Sequence, residues 1–240
     1  MITNRHTEEF SMLNIDEQEL IIEQIEIGPM QNFTYIVGSR TTREVAIVDP
    51  AWDVEGLIKH IGERGYTLTG ALVTHYHPDH IGGSFGNNTV VGLAELMAIN
   101  PVKVYVHKDE ADGVIKVTGL SENDLTRVNS GDHLKIGDVE VEFLHTPGHT
   151  PGSQCFRIKN TLVSGDTLFI NGCGRVDLPG SNSEDMYHSL RKLCDLPEDT
   201  LLLPGHNYGH IPNAAMAETK AQNTYLNIKD VETWKTVMGG

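Results

Sequence analysis

Positive charge is scarce in this 240-residue chain: 18 Lys and Arg stand against 33 Asp and Glu, a formal charge of −15. A nucleic-acid binder needs a basic surface to neutralise phosphates, so this balance argues against that partner. Cysteine is scarce as well. Cys155, Cys173 and Cys194 are odd in number and show no CxxC spacing, so no disulfide framework is implied and a reducing compartment fits. Apolar runs fall far short of the roughly 20 residues of a membrane-spanning helix. The opening residues, Met1-Ile2-Thr3-Asn4-Arg5-His6, lead into Glu8, Glu9, Asp16 and Glu17 without the apolar stretch of a signal peptide. The expected setting is the cytoplasm. What is present is an ordinary globular composition, 39% hydrophobic and 21% charged, in a length that suits one domain with a short appendage. Histidine is the exception: there are 12, unevenly spread.

Residues 1–22 are polar and acidic and read as an N-terminal arm. Residues 23–240 read as one domain, with short C-terminal helices in 213–240. Apolar strands closed by turn residues come first: Ile25–Ile27, Phe33–Val37 and Glu44–Val48. Asp53 is placed to cap a helix with Leu57, Ile58 and Ile61 on one face, stopping at Gly65. Ala71-Leu72-Val73 reads as a strand buried on both faces. Helices are predicted over 93–99 and 108–117, with a strand at 102–106 between them. A second strand series follows at 139–144, 154–158 and 161–163. Ser183 is the predicted cap of a helix running to Cys194. A strand at 200–203 and helices near 214–222 and 230–238 close the chain. Two mixed sheets with helices outside satisfy this order. Trp234 and Val237 mark the last helix as packing on the core or on a partner.

The strongest chemical signal is Thr74-His75-Tyr76-His77-Pro78-Asp79-His80, directly after the buried strand. In extended backbone His75 and His77 point to the same side. Pro78 breaks the strand, and Asp79 and His80 can face a second point nearby. The spacing suits two adjacent metal ions held by imidazole nitrogen and carboxylate oxygen. Three further segments share one design, an apolar strand followed by a ligand-type residue in a glycine-containing turn: His149 after Leu144, Asp166 after Val163 and His206 after Leu203. Glycine beside each lets the backbone turn sharply and approach the site. Alone, each is an ordinary turn residue or helix cap; together with the first motif they read as ligands.

His75-x-His77-x-Asp79-His80, followed by His149, Asp166 and His206 in that order, resembles the metallo-β-lactamase superfamily over residues 25–208. The resemblance implies an α/β fold, an αββα sandwich with the metal site at the sheet edges. It implies that His75, His77 and His149 bind one metal, that Asp79, His80 and His206 bind a second, and that Asp166 bridges them. Asp79 favours the hydrolytic glyoxalase II-like branch over the β-lactamases. Gly172-Cys173-Gly174-Arg175-Val176-Asp177 is similar to two subfamilies: glyoxalase II, with a basic residue after Gly-Cys-Gly, and persulfide dioxygenases, with Gly-Cys-Gly-Arg-x-Asp. Arg43–Pro50 also resembles the dioxygenases. Glyoxalase II carries an aromatic residue in place of Asp177, and this chain lacks that family's long C-terminal helical domain. Residues 87–130 are expected to line or cover the pocket.

Two mechanisms follow from the resemblance. In the hydrolase reading, two divalent ions, zinc in the first instance, share a hydroxide that attacks a thioester or ester carbonyl, with Asp79 as the catalytic residue orienting it. In the dioxygenase reading, a single Fe(II) is held by His75, His149 and Asp166, a two-His, one-carboxylate triad. His and Asp serve zinc, iron and manganese alike. A metal-binding protein without turnover is a third reading. The expected partner is a small molecule, glutathione-linked thioesters included, with no nucleic acid or membrane. Arg175 is the candidate grip for a substrate carboxylate through a bidentate contact, against the alternative of a surface pair with Asp177. Tyr208, beside His206, is the candidate hydrogen-bond donor to substrate. Cys173 reads as a packed thiol, and His145 as a neighbour of the site that is not a ligand.

Overall fold

The structure is a computed structural model, and residues 19–85 and 88–238 are described. Six strands form a first sheet in the order Leu20–Ile27, Asn32–Ser39, Glu44–Val48, Thr67–Leu72, Lys103–His107, Leu125–Val128. The first three make an antiparallel meander; the last three run parallel to Glu44–Val48. The parallel steps need crossovers, and helices Val54–Glu63, Leu93–Ile99 and Ala111–Thr118 supply them. A second six-stranded sheet runs Ala214–Ala215, Leu201–Pro204, Thr161–Gly165, Gln154–Ile158, Val139–His145, His133–Ile136. It is antiparallel except where Thr161–Gly165 lies parallel to Leu201–Pro204.

Side chains alternate across each strand, which makes three apolar layers. Tyr35, Val37, Ala46, Val48 and Leu72 of the first sheet meet Val141, Phe143, Phe156, Ile158, Val163 and Leu203 of the second. The opposite face of the first sheet, with Ile36, Ile47 and Ala71, packs on Leu57, Ile61, Leu93, Leu96 and Val114 of its helices. The outer face of the second sheet, with Cys155, Leu162 and Leu202, packs on Met186, Leu190, Leu193 and Trp234. This is the expected αββα sandwich. Both faces of each sheet are covered, so its central strands are continuously apolar rather than alternating.

The structure departs from the sequence reading in a few places. The first strand starts at Leu20, not Glu23, because Leu20, Ile21 and Ile22 pair with Ser39, Gly38 and Val37 and are buried. Residues 1–18 of the predicted arm lie outside the described residues. Strands Leu125–Val128 and His133–Ile136 carry too few apolar residues to declare themselves, since each lies at a sheet edge. The helix predicted from Lys108 starts at Ala111. Asn182, not Ser183, caps helix Ser183–Cys194: its Oδ1 accepts from Asp185 N at 3.0 Å. Ser183 instead anchors the last helix, Val231–Met238, accepting from the Trp234 indole at 2.7 Å through its carbonyl and 3.0 Å through Oγ. Trp234 is fully buried, so this helix packs on the core of its own chain. Among the described residues, no helix is long and apolar enough to cross a membrane.

Trp234→Ala therefore removes a buried indole and leaves a cavity, with an expected loss of about 3–5 kcal/mol in urea unfolding. Metal content per folded chain should stay unchanged, because Trp234 meets Ser183, Tyr187 and Tyr225 rather than the ligand residues described next.

Candidate metal centre

The strands that carry the ligands all end at one edge of the sandwich. Thr67–Leu72 delivers Thr74–His80, and Pro78 opens the single-turn helix Pro78–Ile81 that swings Asp79 and His80 away from His75 and His77. Val139–His145 leads into the turn bearing His149. The parallel pair Thr161–Gly165 and Leu201–Pro204 places Asp166 and His206 side by side, and Gly205 N donates to Gly165 O at 2.9 Å. Glycine is required there: a Cβ on Gly205 would lie 2.3 Å from Asp166 Oδ1.

All seven sequence-predicted ligands converge. His75, His77 and His149 form one group, and Asp79, His80 and His206 another, each with donor atoms mutually within 4.8 Å. Asp166 lies between them: its Oδ2 is 3.7 Å from His149 Nε2 and 3.3 Å from His206 Nε2, and its Oδ1 is 3.3 Å from His80 Nε2. The hydrogen bonds around the cluster fix which nitrogens face inward. His149 Nδ1 donates to Arg175 O at 2.8 Å, and His206 Nδ1 donates to Met30 O at 3.0 Å. His80 Nδ1 donates to Asp49 Oδ2 at 3.1 Å. The Thr74 hydroxyl spends its proton on Asp49 Oδ2, so His75 Nδ1 donates to Thr74 Oγ1 at 2.9 Å. Each of these rings turns its Nε2 towards the cluster.

Those nitrogens crowd. His80 Nε2 is 3.1 Å from His206 Nε2, and His77 Nδ1 is 2.9 Å from His149 Nε2. His75 Nε2 is buried without a hydrogen-bond partner, as is Asp166 Oδ1. Buried polar atoms are normally paired, and imidazole nitrogen with carboxylate oxygen is the donor set of first-row divalent metals. The residues fit two such ions. Burial, reinforced by the neighbouring imidazoles, holds His75 well below the ordinary histidine range and His77 down at about 4, so both are neutral ligands at pH 7. Burial opposes charge on His80 as well, but the Asp166 and Asp79 carboxylates outweigh it and raise that ring.

Four supporting residues were not singled out from sequence as parts of the site. Asp49 binds His80 Nδ1, Thr74 N at 2.8 Å and Thr74 Oγ1 at 2.5 Å. It follows a buried strand, Glu44–Val48, and so repeats the design that revealed Asp166. Asn32 and Trp52 brace Asp79, and no spacing marks them. Glu110 is fully buried and accepts from Tyr76 N, Thr150 Oγ1 and Gly152 N at 2.7 Å each, tying together the two loops that bear His77 and His149.

The substrate-side candidates divide. Tyr208 is 56% exposed and stacks on His206 at 4.5 Å. With Phe169, Ile170 and Ile211 it lines a cavity of about 100 Å³ beside the second ligand group. Residues 87–130 were expected to line or cover the pocket, and none of them lines this cavity. Through Glu110 the segment supports the ligand loops instead, because its helices cover the outer face of the first sheet. The Arg175 guanidinium is exposed and engaged with Asp177, Nε to Oδ1 at 2.9 Å and a terminal nitrogen to Oδ2 at 2.8 Å. Its backbone, not its side chain, touches the ligand cluster. Burial pushes the Cys173 thiol up to about 12, so it is no thiolate at neutral pH. His145 donates to Pro151 O and stacks on His107 at 3.8 Å and 11°. Parallel rings aim their in-plane lone pairs alongside one another, so this pair does not converge on an ion.

The comparisons with known proteins agree with this geometry. Residues 27–206 match the sequence profile of the metallo-beta-lactamase superfamily. The chain belongs to that superfamily. Among superfamily relatives, a probable polyketide biosynthesis zinc-dependent hydrolase, BaeB, of Bacillus velezensis is 30% identical over 84% of this chain and 84% of its own. A hydroxyacylglutathione hydrolase of Tolumonas auensis is 32% identical over 87% of this chain and 75% of its own. The human mitochondrial persulfide dioxygenase ETHE1 is 32% identical over 86% of this chain and 76% of its own. Among solved structures, ETHE1 from Myxococcus xanthus superposes with a TM-score of 0.78 at 28% identity, covering 92% of this chain and 90% of that one.

Burial pushes the Glu110 carboxyl up to about 7, against the pull of its three donors. A carboxyl with a raised folded-state pKa favours the folded state below its unfolded pKa, and that contribution is lost as pH rises through the folded value. Relative to Glu110→Gln, the wild-type protein should lose stability between pH 4.5 and 7, by at most about 3 kcal/mol. Urea unfolding of both proteins across that range measures the difference, and parallel curves would show that Glu110 does not titrate there.

Proposed function

We propose that this protein is a dinuclear metallohydrolase that cleaves a thioester or ester. The observation that carries the reading is the completeness of both ligand groups. A single ion held by His75, His149 and Asp166 would give Asp79, His80 and His206 no ligand role, although His80 Nε2 and His206 Nε2 converge to 3.1 Å. Two divalent ions, zinc by the name of the Bacillus relative, would satisfy both groups, with Asp166 placed to serve either. Bound divalent ions supply Lewis acidity and lower the pKa of water so that a nucleophile exists at neutral pH.

The chain's own residues do the rest. Asp79 is the catalytic residue of the reading: Asn32 holds its Oδ2 at 2.9 Å, and the carboxylate accepts from the attacking water and orients it. The apolar walls of Phe169, Ile170 and Ile211 hold the organic part of the substrate beside His206 and exclude bulk water. Tyr208, at the mouth of that cavity, donates to the substrate. Burial pushes its hydroxyl up to about 12, so it stays protonated. A thiolate leaves without a strong general acid, which suits a site whose Cys173 is a closed, protonated thiol. Arg175 is the proposed handle for an anionic substrate such as a glutathione thioester. A substrate carboxylate reaches it by displacing Asp177, an exchange that costs little because the pair is exposed. The proposed setting is the cytoplasm and the partner a small molecule.

Gly172-Cys173-Gly174-Arg175-x-Asp177, with the Arg175–Asp177 pair it builds, favours one second reading: a mononuclear-iron persulfide dioxygenase holding its metal through His75, His149 and Asp166. Two assays separate the readings. The zinc-loaded protein should hydrolyse S-lactoylglutathione, and the iron-loaded protein should show no oxygen uptake with glutathione persulfide. EDTA should abolish the hydrolysis and zinc restore it. His77→Ala should lower kcat by more than about 100-fold, beyond the usual effect of an outer partner. Rapid oxygen uptake that survives His77→Ala and vanishes in His149→Ala would establish the dioxygenase instead.

Arg175→Ala should raise KM for the glutathione thioester and leave kcat unchanged, the signature of binding that is equal in ground and transition states. An unchanged KM would remove Arg175 from the substrate contact.

A further inference from the structure

The two ligand groups share Asp49, which reaches His75 through Thr74 and His80 directly, and otherwise draw on different parts of the chain. In the first group, His75 leans on Thr74 and His149 on Arg175 O. The second group leans on the turn between the first two strands. Met30 O accepts from His206, Gln31 O accepts from Asn207 N at 2.8 Å, and Phe33 N donates to Gly205 O at 2.8 Å. From the same turn, the Asn32 side chain reaches Asp79 Oδ2 at 2.9 Å and lies 3.4 Å from His80 Nε2. Asn32 thus faces two of the three ligands of the second group and none of the first.

The Asn32 amide is not free to flip. Its Oδ1 lies 3.1 Å from Trp52 Nε1, and an indole N–H can only donate, so the oxygen must face Trp52 and the NH₂ must face Asp79. Trp52 is itself pinned. Its Nε1 also donates to Asp79 O at 3.0 Å, and its backbone sits at φ +69°, a rare conformation for a bulky side chain. Its ring lies against Gly28, which has φ +73°; a Cβ there would come within 2.5 Å of Trp52 Cγ. Gly28, Trp52, Asn32 and Asp79 therefore form one chain of contacts that ends on a single carboxylate oxygen.

We propose that Asn32, oriented by Trp52, is the positioning residue that sets occupancy of the second metal position, independently of the first. The inference rests on the dinuclear reading. Asp79 Oδ2 is 3.4 Å from His206 Nε2 and 3.5 Å from His80 Nε2, so it faces the point on which both imidazoles converge. The Asn32 N–H occupies one lone pair of that oxygen and directs the other to this point. It also holds the carboxylate plane, so the ligand is ordered before an ion arrives. Without the amide, Asp79 can rotate away, and two imidazoles alone must hold the second ion. His75, His77 and His149 keep all their own supports.

The test is metal stoichiometry and stepwise affinity, not turnover. The EDTA-stripped wild type, Asn32→Ala and Trp52→Phe are each titrated with zinc against a chromophoric chelator, and bound zinc is counted by mass spectrometry. In the wild type, two ions should bind. In Asn32→Ala the first step should be unchanged and the second weakened about 10–100-fold, the usual effect of removing an outer partner of a ligand. Trp52→Phe keeps the aromatic bulk and removes only the N–H, so it guards against misfolding of the first variant; its second step should weaken in the same direction, and less. An unchanged second step in both variants, or equal weakening of both steps, overturns the proposal while the dinuclear reading stands. A wild type that binds fewer than two ions sinks the dinuclear reading itself, whatever the variants do.

Discussion

The rest of the site is arranged around one crowding. Ring nitrogens of His80 and His206, and of His77 and His149, approach to 2.9–3.1 Å, and His75 Nε2 and Asp166 Oδ1 are buried without a hydrogen-bond partner. Leaving such atoms unpaired costs free energy. The arrangement persists because His206, His149 and His80 are fixed from behind, by Met30 O, Arg175 O and Asp49. The cost is confined to a few atoms at the sheet edge, and a sandwich with three apolar layers can carry it. Such local conflict between stability and arrangement is typical of sites built to bind a cation.

Much of this was legible in the sequence, for identifiable reasons. His75, His77, Asp79 and His80 sit within six residues, so strand geometry and one proline fix their relative directions before any tertiary contact is known. Asp166 and His206 were legible because each follows a short buried strand and touches a glycine. The long-range pairing that joins them, Thr161–Gly165 beside Leu201–Pro204, leaves no local trace. Asn32, Trp52 and Glu110 were missed for the same reason. Their roles arise from contacts across 20 to 47 positions of sequence, and a lone Asn, Trp or Glu has no spacing to betray it. Asp49 was within reach, since it follows the strand-then-acid pattern. The edge strands and the exact helix starts escaped because exposed positions obey no apolar rhythm.

The division of labour between the two sheets also explains what the segment 87–130 does. It was expected over the site and is found behind it. Parallel crossovers must return on the outside of a sheet, so residues between Thr67–Leu72 and Lys103–His107 pack on the far face of the first sheet. Glu110, at the start of a helix, reaches back to the loops. The cavity beside His206 is lined instead by the short hairpin around Leu168–Cys173 and the turn after His206, both from the C-terminal half.

That split has a mechanical consequence. His75, His77, Asp79 and His80 hang from the first sheet, while His149, Asp166 and His206 hang from the second. Each ligand group takes members from both. An ion bound in either group is therefore a clasp across the open edge of the sandwich, added to the hydrogen bonds that already join the two halves there, such as Phe33 N to Gly205 O and Gln154 N to Thr74 O. Occupancy and sheet-to-sheet cohesion become one linked equilibrium, in which metal supply acts on the persistence of the folded chain as well as on its chemistry.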